Sequence, residues 1–304
     1  MTDDAVTMSR AQAVFAATRP PFLVLAPATV LAGIGTALQS GANIGWHYLA
    51  LVLLGALAAH IAVNTLNEYQ DYHSGLDAVT ERTPFSGGSG ALPAQPAAAA
   101  GVLLAALAAI GVMVLIGLYL AWMHGPAIIP IGAAGLAIII SYTQWLNRSP
   151  WLCLLAPGAG FGPLMLIGTH IALGGEPGWP PLLAGLIALC LTSNLLLLNQ
   201  YPDMAADRSV GRRTFPIAYG IARSNRAYAV LWAIALLALV GGVVSAQFPP
   251  LALLALAPLL CGALALRMAW GFAGDIAPLL PALGLNVAAA VLTPLVLGIA
   301  LLAG

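Results

Sequence analysis

Two short polar blocks interrupt an otherwise apolar chain. One is Asn64-Thr65-Leu66-Asn67-Glu68-Tyr69-Gln70-Asp71, running on to Asp77; the other is Asn199-Gln200-Tyr201-Pro202-Asp203, running on to Asp207 and Gly211-Arg212-Arg213. Oxygen-bearing side chains in such rows suit a hard divalent cation such as Mg2+, which binds through a few carboxylates plus phosphate oxygens. Asn67 and Asp71 are four residues apart, and Asn199, Asp203 and Asp207 repeat that spacing, so each set shares one face of a helix. Two rows facing each other suit a cation-bridged diphosphate. The candidate metal ligands are then Asn67, Asp71, Asp77, Asn199, Asp203 and Asp207, and the four Asp among them are the candidate catalytic carboxylates. A single such pair reads equally well as a helix cap or an Arg partner. Two rows at membrane depth, where carboxylates are costly, point to a functional site.

Further residues point at phosphate. Arg212 and Arg213 follow the second row, Arg82 follows the first, and Arg19-Pro20 stands just before the first apolar stretch. The planar guanidinium fork matches phosphate, so Arg19, Arg82, Arg212 and Arg213 are candidate diphosphate ligands. Their plainer explanation, membrane anchoring, also covers Arg223 and Arg226. The run Ser86-Gly87-Gly88-Ser89-Gly90 can present backbone N–H groups to an anion or serve as a flexible linker. Tyr142, with Tyr69 and Tyr201, sits on the same face. Interface aromatics usually anchor, and Tyr142 is carried as a further candidate beside the diphosphate. His73 reads best as a solvated residue, and the other histidines form no metal spacing. Cys153, Cys190 and Cys261 fall in apolar stretches, as small buried residues do.

These residues must be positioned by a membrane protein. The chain has 304 residues, 61% hydrophobic and 7% charged, against about 25% charged for a soluble domain. About nine apolar runs are long enough to span a bilayer as helices: roughly 22–38, 46–66, 97–122, 127–145, 152–173, 180–200, 227–245, 250–268 and 278–302. The alternating segments of a membrane β-barrel are absent, and Leu and Ala favour helix. The expected fold is an all-α integral membrane bundle, one domain over residues 1–304, with a polar cap at one end. There is no Lys. The ten Arg all fall at the N-terminus or in loops after even-numbered spans, which places that face, and both acidic rows, in the cytoplasm. Residues 1–18 are polar and lack a compact apolar core with a cleavage site, so the first span is expected to remain as an anchor. With zero net charge and no basic tract, nucleic acid is not an expected partner.

The two blocks resemble those of the UbiA-type superfamily of intramembrane prenyltransferases. The matching text is Asn67-Glu68-Tyr69-Gln70-Asp71 with Asp77, then Asn199, Asp203, Asp207 and Gly211 at four-residue steps, each after an even-numbered span. Thr83-Pro84-Phe85-Ser86-Gly87-Gly88-Ser89-Gly90 and Gly211-Arg212-Arg213-Thr214 are similar to the branch that prenylates dihydroxynaphthoate in menaquinone synthesis. The chain departs from the wider pattern: Glu68 replaces an Asp, five residues separate Asp71 from Asp77, and Arg212 stands where Lys is common. The Gly-Glu often found after span four is missing between Arg148 and Gly162. The resemblance implies Mg2+ as cofactor, a polyprenyl diphosphate donor, an aromatic quinone-precursor acceptor, contact with membrane lipid, and a bacterial inner membrane location. The alternatives are a non-quinone lipid acceptor or a cation-coupled transporter. Transporters, however, place their sites near the bilayer midplane rather than at helix ends. The CDP-alcohol phosphotransferase motif is not present. Small residues such as Gly158, Gly160 and Gly162 leave room for an isoprenoid tail or serve close helix packing, and the sequence does not choose between the two.

Overall fold

A computed structural model describes residues 8–304, so the first seven residues of the N-terminal polar stretch lie outside it. Among the described residues every regular element is helical. In chain order they are α1 (Arg10–Ala17), α2 (Leu25–Gln39), α3 (Trp46–Ser74), α4 (Leu76–Val79), α5 (Ala91–Ala94), α6 (Ala99–His124), α7 (Ile128–Ser141) and α8 (Pro150–Ala159). A π-helical segment, Gly160–Ile167, continues α8 into α9 (Gly168–Ala172). Then follow α10 (Trp179–Ser209), α11 (Phe215–Tyr219), α12 (Ile221–Val244), α13 (Leu256–Ala269) and α14 (Leu280–Ala303).

The protein is a multi-pass integral membrane protein. All nine expected apolar stretches are helical, but among the described residues only seven helices are long and apolar enough to cross a bilayer unaided. The expected 22–38 span is helical from Leu25 but only 15 residues long, and a 48° bend separates it from the Arg10–Phe22 segment. Within that segment Arg19 takes a left-handed backbone (φ 54°) ahead of Pro20 and Pro21. The expected 127–145 span shrinks to the 14 residues of α7. The helix ends where Ser141-Tyr142-Thr143-Gln144 interrupts the apolar run.

Side chains on the outer surface suit lipid. Trp46, Trp122 and Trp179 are exposed at one end of the bundle, and Trp145, Trp151 and Trp270 at the other. Two such girdles are the aromatic belts of a membrane protein. The most enclosed helix is α10, which packs against α2, α8, α12 and α14. Small residues let the helices approach. A Cβ on Gly298 of α14 would meet the backbone of Leu31 and Ala32 in α2, so this crossing closes the bundle by backbone contact. Gly158 and Gly162 do the same against α10, where a Cβ would run into the carbonyls of Leu189 and Gly185 respectively. Gly160 between them meets nothing within 4 Å and borders the cavity described next. The three glycines thus divide between packing and space.

Candidate active site: two acidic rows on one cavity

Both rows lie on helices that extend past their apolar stretch. α3 carries Asn64, Asn67, Glu68 and Asp71 and runs to Ser74. Gly75 then takes the left-handed conformation (φ 79°) that commonly ends a helix, and this turn starts α4 and brings Asp77 back to the site. α10 stays helical through Pro202 to Ser209, so Asn199, Asp203 and Asp207 do form one stripe. Gly211, also left-handed (φ 79°), folds the chain so that the Arg212 N–H reaches the Asp207 carbonyl at 3.0 Å.

The rows meet across a cavity of about 390 Å³. Of the candidate residues, Arg19, Asn67, Asp71, Asp77, Tyr142, Asn199, Asp203, Asp207 and Arg212 line it. Arg82 and Arg213 do not; both side chains are exposed. Arg82 donates to the Asp77 carbonyl at 3.4 Å, and Arg213 uses its backbone N–H on the Asn147 carbonyl at 2.9 Å. His73 is exposed, with Nδ1 on the Tyr69 carbonyl at 2.8 Å.

Charge is handled by two half-buried arginines. Arg212 bridges the rows, one arm of its fork on Asp71 and the other on Asp207 at 2.9 Å. Arg19 reaches Asn67 Oδ1 and Glu68 Oε2, both at 3.2 Å. Its strained backbone is what turns it off α1 toward the site. The glycine-rich loop crosses above as a strap. Gly87 N–H donates to Asp203 Oδ2 at 3.3 Å, and Ser89 donates to Glu68 through both its N–H and its hydroxyl. The N–H groups that the sequence offered to an anion thus serve the protein's own carboxylates.

Oxygens are left over on both rows. Asp77 Oδ2, Asn199 Oδ1 and Asp203 Oδ1 are buried without any hydrogen-bond partner. Burial, followed by the carboxylates of Glu68 and Asp71, pushes the Asp77 pKa up to about 7. Uncompensated buried acceptors are uncommon, and an all-oxygen set of carboxylates and amides is the donor set that Mg2+ takes. Among the described residues no three His, Cys, Asp or Glu side chains group closely enough to hold a metal alone. A cation here would complete its shell from phosphate and water, as Mg2+ sites do.

Away from the rows the cavity is apolar. Along α3 it is lined from Asp71 back to Val52, a helical rise of about 28 Å. His60 lies in that depth, its ring edge-on to Phe161 at 4.9 Å. Glu68 is the residue that spacing does not single out. It sits one residue off the Asn67/Asp71 stripe, yet is fully buried and gathers Arg19 and the strap.

Residues 26–274 match the UbiA prenyltransferase family. The chain is 31% identical over 253 residues to a 1,4-dihydroxy-2-naphthoate octaprenyltransferase of Mycobacterium tuberculosis, covering 80% of this chain and 85% of that protein. It is 26% identical over 206 residues to a Bacillus subtilis protein of the same description, covering 67% and 64%. Among solved structures, a UbiA homolog from Archaeoglobus fulgidus bound to DMAPP and Mg2+ superposes with a TM-score of 0.68 at 14% identity, covering 95% of this chain and 99% of that one. A UbiA homolog from Aeropyrum pernix K1 superposes with a TM-score of 0.69 at 17% identity, covering 91% and 96%.

Proposed function

The chain belongs to the UbiA prenyltransferase family, and from that premise we propose that it moves a polyprenyl group from its diphosphate to a naphthoate-like aromatic acceptor, as a step toward menaquinone. The observation that carries this reading is the convergence of two acidic rows, with unpartnered oxygens on both, at the head of one long apolar cavity. The relatives named for naphthoate prenylation support the acceptor, and the DMAPP- and Mg2+-bound homolog supports the donor and the cation. All ten Arg fall on the face that carries the rows, which supports a cytoplasmic opening in a bacterial inner membrane. Residues 1–304 act as one domain in this reading.

Asn67, Asp71 and Asp77 from one side, and Asn199, Asp203 and Asp207 from the other, would hold Mg2+. When bound, the cation supplies charge neutralisation for a departing diphosphate. The chain's own residues do the rest. Arg212 and Arg19, freed from their carboxylates, present forks to phosphate oxygens and stabilise the leaving charge. The C–O bond to the diphosphate breaks, leaving an allylic cation. The π electrons of an electron-rich ring carbon form the new C–C bond, and that carbon then loses its proton. The apolar walls exclude water, which would otherwise quench the cation, and they accommodate the tail at no cost relative to lipid.

Diphosphate release by the purified protein tests this, using geranylgeranyl and longer diphosphates, Mg2+ and a panel of aromatic and lipid-alcohol acceptors. Release that needs Mg2+, an aromatic acceptor and both Asp71 and Asp203 is the expected result. Release only with a glyceryl phosphate acceptor would overturn the aromatic assignment. Full activity of Asp71→Ala or Asp203→Ala would overturn the metal assignment.

A further inference from the structure

Beyond the acidic rows the cavity has a second polar wall. Asn147, Gln200 and Thr214 all line it, and they are only 3%, 8% and 2% exposed. Asn147 lies in the turn after α7, Gln200 on α10, and Thr214 ahead of α11. One contact draws Asn147 and Thr214 together, and another holds Gln200. The Arg213 N–H on the Asn147 carbonyl ties the turn after α7 to the turn after α10, and Gln200 Nε2 reaches across to Cys153 Sγ of α8 at 3.3 Å.

The amide groups of this wall are half satisfied in the same way. Asn147 donates its Nδ2 to the Thr143 carbonyl at 2.6 Å, a contact that an amide oxygen in the same place could not make. The nitrogens are engaged, and Asn147 Oδ1 and Gln200 Oε1 have no partner. Thr214 stands at the N-cap of α11 but makes no side-chain cap hydrogen bond, and its hydroxyl is unpartnered too. A fold seldom leaves three such groups together without a ligand to satisfy them.

The chemistry of the unpartnered atoms selects the ligand. A carboxamide oxygen only accepts, so its partner must carry O–H or N–H, or be a cation. An ionised diphosphate has acceptors alone, and a prenyl tail has neither. The cation has the carboxylates Asp203 and Asp207; Gln200 lies within about 60° of both around α10, but its carboxamide engages Cys153 of α8, and Asn147 stands on the turn after α7. Of the reactants in the proposed transfer, only a hydroxylated ring brings donors. Two amide oxygens call for two hydroxyls, and the Thr214 hydroxyl can donate to a further oxygen on the ring.

On the basis of the prenyl-transfer reading, we infer that Asn147, Gln200 and Thr214 form the acceptor subsite, recognising a dihydroxylated aromatic ring through its two O–H groups. The wall holds the ring between the tail cavity and the diphosphate site, and its two hydroxyls fix which edge faces the donor.

The test uses the full-length protein with Mg2+ and a fixed prenyl diphosphate. 1,4-Dihydroxy-2-naphthoate is the acceptor, and analogues lacking one hydroxyl, 1-hydroxy- and 4-hydroxy-2-naphthoate, are competitive inhibitors. For wild type, loss of either hydroxyl should raise Ki by about tenfold or more. Asn147→Leu and Gln200→Met should each raise the acceptor KM about tenfold and become indifferent to one of the two deletions. KM for the prenyl diphosphate should stay within about twofold. Wild-type Ki values that ignore both deletions would overturn the subsite, even if neither variant folds. Variants that raise both KM values alike, or that keep the full discrimination, would overturn it too. Transfer to dihydroxynaphthoate that is intact but blind to hydroxyl deletion sinks the subsite alone, whereas absence of transfer to any aromatic acceptor sinks the proposed function and the subsite with it.

Discussion

Arg212 carries a quantitative prediction. Its side chain is 16% exposed, and its partners Asp71 and Asp207 are 8% and 5% exposed. These are buried ion pairs, not surface ones. Arg212→Met keeps the length of the stem and removes the charge, leaving two facing carboxylates without a counter-ion. Breaking a buried pair on one side costs about 3–5 kcal/mol, because the remaining charge is uncompensated. For a chain of this size that is a fall in Tm on the order of 10 °C. The proposed cation offers the lost compensation from outside. At a Mg2+ concentration of about 100 times Kd, binding to the folded state returns about 2.7 kcal/mol. In wild type Mg2+ must displace Arg212, so its effect on Tm should be smaller. The assay is thermal unfolding in detergent, wild type against Arg212→Met, in EDTA and across a Mg2+ titration. The expected result is a variant that is much less stable in EDTA and largely restored by Mg2+, yet still inactive. A variant as stable as wild type in EDTA, or a Mg2+-induced shift no larger than in wild type, would refute the reasoning.

Three other outcomes follow from the same geometry. Gly135 lines the cavity, and a Cβ added there would meet no atom within 4 Å, so Gly135→Phe should retain kcat/KM for a short donor such as geranyl diphosphate and lose it for long ones; equal loss at every chain length would contradict the tail assignment. Gly158→Val should lower the Tm sharply, because its side chain enters the Leu189 backbone, whereas Gly160→Ala, on the open side of the same helix, should leave Tm within about a degree or two; a matched drop would show that both glycines pack. Arg213→Ala should change turnover less than about twofold, since its side chain is exposed and surface charges contribute little; a loss comparable to that of an Asp203 variant would return Arg213 to the site.

The legible part of this protein was the part written in short-range patterns. Nine apolar runs announce nine helical segments, and oxygen-bearing residues at four-residue steps announce two faces. What stayed hidden depends on the backbone turning or on distant chain meeting. The expected 127–145 span takes in Ser141-Tyr142-Thr143-Gln144, and those polar residues are where α7 ends. The Arg19-Pro20-Pro21 text permits a break but does not give its angle. Glu68 looks displaced from its stripe until the Ser86–Gly90 strap arrives from the next loop to meet it. Asn147, Gln200 and Thr214 are isolated polar letters with no common period; the Arg213–Asn147 tie draws Asn147 and Thr214 together, and Gln200 joins them only on the cavity wall. Arg82 and Arg213 share the face expected of them but not the cavity: the exposed Arg82 side chain turns back to the Asp77 carbonyl, and that of Arg213 is exposed.

The shortness of α7 has a consequence for the surrounding membrane. Its 14 residues rise about 21 Å, while a typical hydrocarbon core is about 30 Å thick. Ile131, Gly135 and Ile139 of this helix face the cavity, so the wall between the cavity and the lipid is lower than the bilayer it stands in. Acyl chains must thin locally or enter the gap above it, and mismatch of this kind costs fractions of a kcal/mol per ångström. Bilayer thickness thereby becomes a variable of the site: a thicker membrane widens the mismatch above the low wall, and a thinner one relieves it.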